Sequence, residues 1–367
     1  MRIGINALFY IPGEVGGSET YLCETLDALL ALGGGHEFVL FAGREGHAQL
    51  FPRIGQREGV FFQPLEFSAA NRYARIIREQ TELPWLARRW KPDVLWSPGY
   101  TAPFFAPCPQ VVSILDMQYK THPRDLTFLA RLTTNLLVQS GARRARRVIA
   151  ISEFSKEEVI RHTGIPADKI DVTPLAADPA FGRPQPDSDA GVPGPYLLCV
   201  ANTYPHKNVH ALVEAYAALQ KDIPHHLVLV GKPRLGEPLT AAAVAKLADP
   251  SRLHRIDEVS RERLIALYQQ ASLFIFPSLY EGFGLPVLEG MMAGVPVLAT
   301  RCGSIPEAGG DDVDYFDPHK PGDLTARLAE RLASRENKTA RARARAMTFT
   351  WSRTAELTLA ALCRAAG

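Results

Sequence analysis

Short runs of apolar and β-branched residues recur along this chain, and helical patterns fill the gaps between them. In the first half, Ile3–Leu8, Glu37–Phe41, Asp93–Ser97 and Gln110–Leu115 read as short strands, with a helix over Glu19–Leu32. The same rhythm restarts at Tyr196–Val200. It continues with a helix over Val209–Gln220, a strand at His226–Val230, a helix over Arg261–Gln270, and strands at Leu273–Phe276 and Val295–Thr300. Strands separated by helices of roughly 10 to 15 residues indicate βαβ units and parallel sheets, so the restart predicts two α/β domains. Between them, Asp178 to Pro195 is dense in proline, glycine and small polar residues, as an exposed hinge requires.

The chain's 367 residues exceed the roughly 250 to 300 at which one hydrophobic core stops growing, which also favours two domains. Apolar residues make up 46% and charged residues 22%, a globular balance. No stretch approaches the ~20 apolar residues of a membrane span. Met1–Asn6 reads as a buried strand without the features of an export signal, so a cytoplasmic protein is expected. The cysteines (Cys23, Cys108, Cys199, Cys302, Cys363) are widely spaced, which argues against a disulfide framework or zinc site and for core filling in a reducing compartment. A net charge of +2 gives no footprint for nucleic acid. The charge is uneven, however. Arg143, Arg144, Arg146 and Arg147 cluster in the first half, where Arg72, Arg75, Arg78, Arg88 and Arg89 also lie.

Open doubly wound sheets bind ligands outside the carboxyl ends of their strands, so candidate residues are sought just after strands. After the first strand, Gly16 and Gly17 precede a helix, where exposed amides can cradle a phosphate. The loop matches neither dinucleotide-binding nor P-loop spacing, and an ordinary βα turn capped by Ser18 is the alternative. After Tyr196–Val200, the loop Ala201–Asn208 places Lys207 at a helix start, unfavourable for the helix dipole unless an anion lies nearby. A solvated surface lysine is the plainer reading. The most specific segment is Glu281-Gly282-Phe283-Gly284-Leu285-Pro286-Val287-Leu288-Glu289, in which two glycines and a proline break the chain between two carboxylates. Pro286 suits a helix start. Glu289 is then expected on the first turn and Glu281 on the preceding loop, with the amides of Phe283, Gly284 and Leu285 open to a ligand. Such carboxylates can accept hydrogen bonds from ribose and sugar hydroxyls while the helix amides face phosphates.

These segments resemble the family 4 retaining glycosyltransferases of the GT-B fold, in which two Rossmann-like domains face each other across a cleft. Glu281 to Glu289 carries the resemblance as a Glu-x7-Glu motif, together with Gly16-Gly17, Pro205-His206-Lys207-Asn208 and Val148 to Ser155. The resemblance covers nearly the whole chain. It implies an acceptor-side domain at 1–182, a nucleotide-sugar-binding domain at 183–346, and a last helix at 347–367 that crosses back to the first domain, with Trp351 as its anchor. It further implies that Gly16 and Gly17 approach the donor diphosphate, that Lys207 neutralises it, and that Glu289 holds the ribose. Glu281 and the amides of Phe283, Gly284 and Leu285 would hold the transferred sugar, and Val259 or Glu258 would border the nucleobase.

Three departures from the family pattern stand out. Ile114-Leu115-Asp116 replaces the frequent His-Asp, leaving Asp116 without the imidazole. Asn202 and His206 stand near the place of an arginine that partners the lysine. Gly290 follows the second glutamate and should weaken its helix slightly.

The implied activity is metal-independent, retaining hexosyl transfer from GDP-mannose or a UDP-hexose to a sugar or lipid-linked acceptor in cell-surface polysaccharide assembly. No cofactor or metal is expected, since the nucleotide sugar is a substrate. In this reaction the departing phosphate takes the acceptor's proton, so Glu281 and Asp116 are sugar-binding groups before they are nucleophiles. Arg143, Arg144, Arg146 and Arg147 either make peripheral contact with an anionic membrane or cap a solvated helix end. The alternatives are a sugar-nucleotide epimerase, a non-catalytic nucleotide-sugar-binding protein, and a Rossmann oxidoreductase, which the glycine spacing disfavours.

Overall fold

The computed structural model describes residues 1–14, 16–123, 126–185, 189–334, 336 and 338–367. Pro186, Asp187 and Ser188 of the expected hinge lie outside the described residues. The chain divides into two compact units, Met1–Leu175 with Trp351–Gly367, and Ala176–Thr350.

The first unit is a parallel sheet of seven strands: β1 (Arg2–Asn6), β2 (Glu37–Ala42), β3 (Val60–Pro64), β4 (Val94–Ser97), β5 (Gln110–Ser113), β6 (Arg147–Ala150) and β7 (Ile170–Val172). Their spatial order is β3-β2-β1-β4-β5-β6-β7. Leu83 and Leu86 of the helix Arg72–Trp90 pack with Val39, Phe41 and Leu95. Val138 and Ala142 of the helix Phe128–Arg144 pack with Val112 and Val148. Continuous apolar strands are what a sheet covered on both faces demands.

The last helix, Trp351–Ala366, belongs to this unit and packs on the helix Gly17–Leu32 and on β4 to β7. Its buried residues Trp351, Thr354, Ala355, Thr358, Ala361, Leu362 and Ala365 form one helical stripe, mostly of small side chains that permit close approach. Thr354 donates to the Pro174 carbonyl at 2.6 Å, and Arg364 reaches Asp171 at 2.7 Å.

The second unit repeats the plan with β8 (Tyr196–Val200), β9 (His226–Val230), β10 (Leu253–Ile256), β11 (Leu273–Phe276), β12 (Val297–Thr300) and β13 (Asp314–Phe316). These are ordered β10-β9-β8-β11-β12-β13. Leu197, Val213, Tyr216, Leu227, Ile275 and Leu298 lie in its core.

The units divide at positions other than 182 and 346. The turn Pro179–Gly182 joins the second unit because Phe181 meets the Tyr268 ring edge-on at 5.2 Å and its carbonyl accepts from Gln269 at 2.8 Å. Residues 347–350 also stay there, with Phe349 edge-on to Phe283 at 5.8 Å.

All five cysteines are free, but only Cys23 and Cys199 are buried, so core filling fails for the exposed Cys363. Among the described residues no helix is long and apolar enough to cross a membrane.

Candidate functional site

In the second unit the strand order reverses between β8 and β11, and there the loops after the two strands meet. Such a switch point is where an open parallel sheet offers a ligand crevice. Pro205–Lys207 forms a 3-10 turn, and Asn208 adopts φ 54° to lead into the helix Val209–Leu219. Asparagine tolerates that left-handed conformation better than most residues. His206 is buried, and its carbonyl accepts from the Leu279 amide at 2.7 Å, fixing the turn to the loop after β11. The turn thereby brings Lys207 Nζ to within 2.5 Å of Glu281 Oε1, with side chains only 21% and 12% exposed. The ammonium also lies 5.6 Å from the centroid of the Phe276 ring. A lysine and a glutamate 74 residues apart are thus one charged pair.

Asn202, expected among the donor-binding residues, also bonds to a neighbouring loop. Its Oδ1 accepts from the Lys232 amide at 2.8 Å, while Thr203 Oγ1 accepts from the Arg234 amide at 2.7 Å. These bonds tie the loop after β9 to the loop after β8. They also set Lys232 and Arg234 beside the site, cations that the sequence reading did not assign. Lys232 pairs with Glu258 at 2.9 Å, next to the partly exposed Val259.

Glu281 is held from β12 by residues that the sequence reading passed over. Ser304 Oγ donates to the Glu281 carbonyl at 3.0 Å. Gly303, at φ +59°, lies so close that a Cβ there would stand 2.7 Å from that carbonyl oxygen. Gly303→Ala therefore combines a left-handed backbone penalty with a backbone clash, each costing about 1–2 kcal/mol or more. A fall in the thermal midpoint, with the midpoint of Gly294→Ala as the comparison for φ alone, is the expected result. Gly294 has φ +77° and open space around its Cβ position. Equal losses at the two positions would mean that the contact with Glu281 is slack.

The helix runs from Leu285 to Ala293, with Gly284 at its N-cap and Pro286 in its first turn. Pro286 has no amide proton and the Val287 amide donates to the Gly284 carbonyl at 3.0 Å, so of the first-turn amides it is that of Leu285 that can donate outside the helix. Phe283 is buried against Phe349. Glu289 lies one turn further into the helix than the sequence suggested, and its Oε2 accepts from the buried Tyr268 hydroxyl at 3.0 Å. Enclosure by protein pushes the Glu289 carboxyl up to about 7; the Tyr268 bond opposes the shift and the charge of Asp178 adds to it. Gly290 does more than weaken the helix, because a Cβ there would stand 3.0 Å from the Phe274 ring. Glycine lets the helix lie directly on β11.

In the first unit, Gly16 (φ 54°) is the N-cap of the helix Gly17–Leu32, so the capping position falls on a glycine and not on Ser18. Open space surrounds the Cβ positions of Gly16 and Gly17. Glu19 disciplines this loop: Oε1 accepts from Tyr10 at 3.0 Å and Oε2 from the Gly13 amide at 2.8 Å. Asp116, after β5, accepts from the Tyr100 hydroxyl at 2.7 Å and from the Gln118 amide at 2.9 Å. Tyr100 has φ 70°, a strained conformation for an aromatic residue. Leu115 is buried, and its carbonyl accepts from Ser155 at 2.7 Å. The four clustered arginines are not equivalent. Arg147 pairs with Asp171 through two bonds of 2.7 Å, whereas Arg143, Arg144 and Arg146 are exposed.

Among the described residues no group of three or more His, Cys, Asp or Glu side chains could hold a metal ion.

Residues 15–181 match the family described as Glycosyltransferase Family 4, and residues 186–348 match Glycosyl transferases group 1. The chain is 32% identical over 219 residues to the O-antigen chain mannosyltransferase B of Escherichia coli, covering 56% of this chain and 58% of that protein. It is also 32% identical over 238 residues to the serotype-specific mannosyltransferase WbdA of Escherichia coli, covering 60% of this chain but 29% of that protein. The chain thus spans about half or less of these curated relatives. The crystal structure of Anabaena HepE in complex with UDP and glucose superposes with a TM-score of 0.75 at 20% identity, over 99% of this chain and 100% of that one.

Proposed function

The chain belongs to the family 4 glycosyltransferases of the GT-B fold, and we propose that it is a retaining hexosyltransferase using a nucleotide-sugar donor. The single observation that carries this reading is the meeting of Lys207 and Glu281 at the β8/β11 switch point, with Glu289 one helix turn beyond. Lys207 and the positive N-terminal end of the helix Leu285–Ala293 stabilise the departing diphosphate, a fixed electrostatic arrangement that requires no metal. Glu281 and the amides of Phe283, Gly284 and Leu285 hold the sugar hydroxyls. Glu289 accepts from the ribose diol, and Val259 borders the base. Gly16 and Gly17 give amides to the diphosphate, and Asp116 binds a sugar hydroxyl. The anomeric C–O bond to the diphosphate breaks as the acceptor oxygen bonds to the same face of that carbon. The acceptor's proton passes to the leaving phosphate oxygen.

The mannosyltransferase names of the relatives make GDP-mannose the first donor to try, and the UDP complex of HepE makes UDP-hexoses the second. The acceptor is a glycan or lipid-linked glycan of cell-surface polysaccharide assembly, reached at the cytoplasmic face of the membrane, with Arg143, Arg144 and Arg146 as peripheral contacts.

Incubation with each donor and an oligosaccharide acceptor panel, followed by mass spectrometry and NMR of the new anomeric proton, tests the reading. Transfer with the donor's own anomeric configuration is expected. Donor isomerisation without acceptor would mean an epimerase, and nucleotide binding without donor consumption would mean a binding protein.

A further inference from the structure

The first unit has a switch point of its own. Its strand order reverses between β1 and β4, and the loops that follow those two strands meet there. Gly99 lies so close to the buried Phe9 that a Cβ on it would overlap the Phe9 ring. The helix Arg72–Trp90, which connects β3 to β4, holds the second of these loops. Thr101 donates to Glu79 Oε1 at 2.9 Å, Gln80 Nε2 donates to the Ala102 carbonyl at 3.3 Å, and the Phe104 amide donates to Gln80 Oε1 at 2.8 Å. Asn6, the last residue of β1, also donates to Glu79 Oε1, at 2.7 Å.

Arg75 lies one turn nearer the start of this helix, about 6 Å further along its axis. The helix runs back against the parallel strands, so that step carries Arg75 beyond their carboxyl ends, where an open sheet binds ligands. Its side chain is partly buried, yet among the described residues it makes no hydrogen bond or ion pair. Burial pushes the guanidinium below the usual arginine range; the charge of Glu79 opposes the shift and that of Arg72 adds to it. Arg72 is itself held by neutral groups, donating to the Ala130 carbonyl at 3.0 Å and to the Thr134 hydroxyl at 2.7 Å. Glu79 is buried, committed to Asn6 and Thr101, and pushed up by its burial. Two arginines thus stand at the strand ends against one enclosed carboxylate.

A guanidinium has five donors and no acceptor, so enclosing it without partners is costly unless a ligand completes it. We propose that Arg75 determines specificity for the acceptor, and that this acceptor carries an anionic substituent, a carboxylate or a phosphate. The planar fork of donors suits either group. The donor's diphosphate is a poorer occupant, because in the transfer reading its charge already has Lys207 and the amides of Gly16 and Gly17. The word acceptor rests on that reading, whereas the anion site stands on the first unit's geometry alone.

Kinetics with an oligosaccharide panel in neutral, uronate-bearing and phosphate-bearing forms test the proposal. One anionic form should be preferred over the neutral one in kcat/KM, and added salt should weaken the preference. Arg75→Met should reduce that preference about 10- to 100-fold, chiefly through KM, and Arg75→Lys should keep part of it. A phosphate-bearing acceptor would show a KM that falls as pH rises through about 6, and a uronate would show none of that dependence. Arg75→Met should also keep or raise the thermal midpoint, since it removes an unpaired, partly enclosed cation. A lowered midpoint would make Arg75 a structural residue and overturn the proposal. Equal kcat/KM for all three forms in the parent, or a raised KM for the donor in Arg75→Met, would overturn it too. If the chain transfers no sugar, calorimetric titration with the two anionic forms separates the readings. Binding lost in Arg75→Met would support the anion site and sink the transfer reading alone, and no binding of either form would sink the anion site.

Discussion

Lys207→Ala should lower the turnover number at saturating donor by roughly 100- to 1,000-fold, the usual loss when one fixed stabiliser of developing negative charge is removed. Lys207 has a second role that has to be separated from this one. It is the cation of the mostly buried Glu281, so its removal strands a carboxylate. The stability cost should stay below the about 3–5 kcal/mol of a fully buried broken pair, because both side chains keep some access to water. The double variant Lys207→Met/Glu281→Gln removes both charges and should recover most of the thermal midpoint while leaving turnover low. Chemical-quench rates and unfolding midpoints of the three proteins decide the matter. If the double variant restored turnover together with stability, Lys207 would be a structural partner of Glu281 and the diphosphate role would be lost.

Glu289→Gln is expected to change how both stability and donor binding depend on pH. The carboxyl lies at about 7 in the folded protein against an ordinary 4.5, because it is enclosed. The folded state therefore holds this proton more firmly than the unfolded chain does. The associated stability is complete below pH 4.5 and disappears as pH rises through about 7. The Gln variant imitates the protonated form at every pH, so it should be more stable than the parent at pH 8 by at most about 3 kcal/mol. The two should converge in acid. Binding runs the other way. A carboxylate accepting from a ribose diol binds best when ionised, so donor affinity in the parent should increase between pH 6 and pH 8. The Gln variant should bind about tenfold or more weakly at pH 8, without that slope. Calorimetric titration with the nucleotide and urea midpoints across this range measure both effects. A donor affinity independent of pH in the parent would remove Glu289 from the ribose contact.

The interior strands were legible in the sequence because they are covered on both faces. Val94–Ser97 and Leu273–Phe276 are buried at every position, and their apolar runs could be read directly. Of the strands left unread, β3, β7, β10 and β13 are the four sheet edges. An edge strand is only partly covered, and Leu253–Ile256 has no fully buried residue, so its composition resembles that of a loop. The fifth, Arg147–Ala150, is short and adjoins the arginine cluster, which masked its apolar core.

The site divides along a similar line. Lys207, Glu281 and Glu289 could be named because each sits between a strand and a helix with breakers around it. The residues that hold them could not. Gly303 and Ser304 look like any small residues in a loop, yet they grip the Glu281 backbone. Tyr268, inside an ordinary helix, is the donor to Glu289. Tyr100, after β4, holds Asp116.

The sequence by itself determined two parallel-sheet units, the loops that follow their strands, and a motif whose two carboxylates share one strand-loop-helix segment. Those properties are written in local periodicity and in the few residues that can turn a backbone. The tertiary structure alone decided that Lys207 pairs with Glu281, that Asn202 binds a neighbouring loop, and that Pro179–Gly182 joins the second unit. Each depends on groups distant in sequence, and the strand order that brings those groups together comes from packing, which no local pattern records.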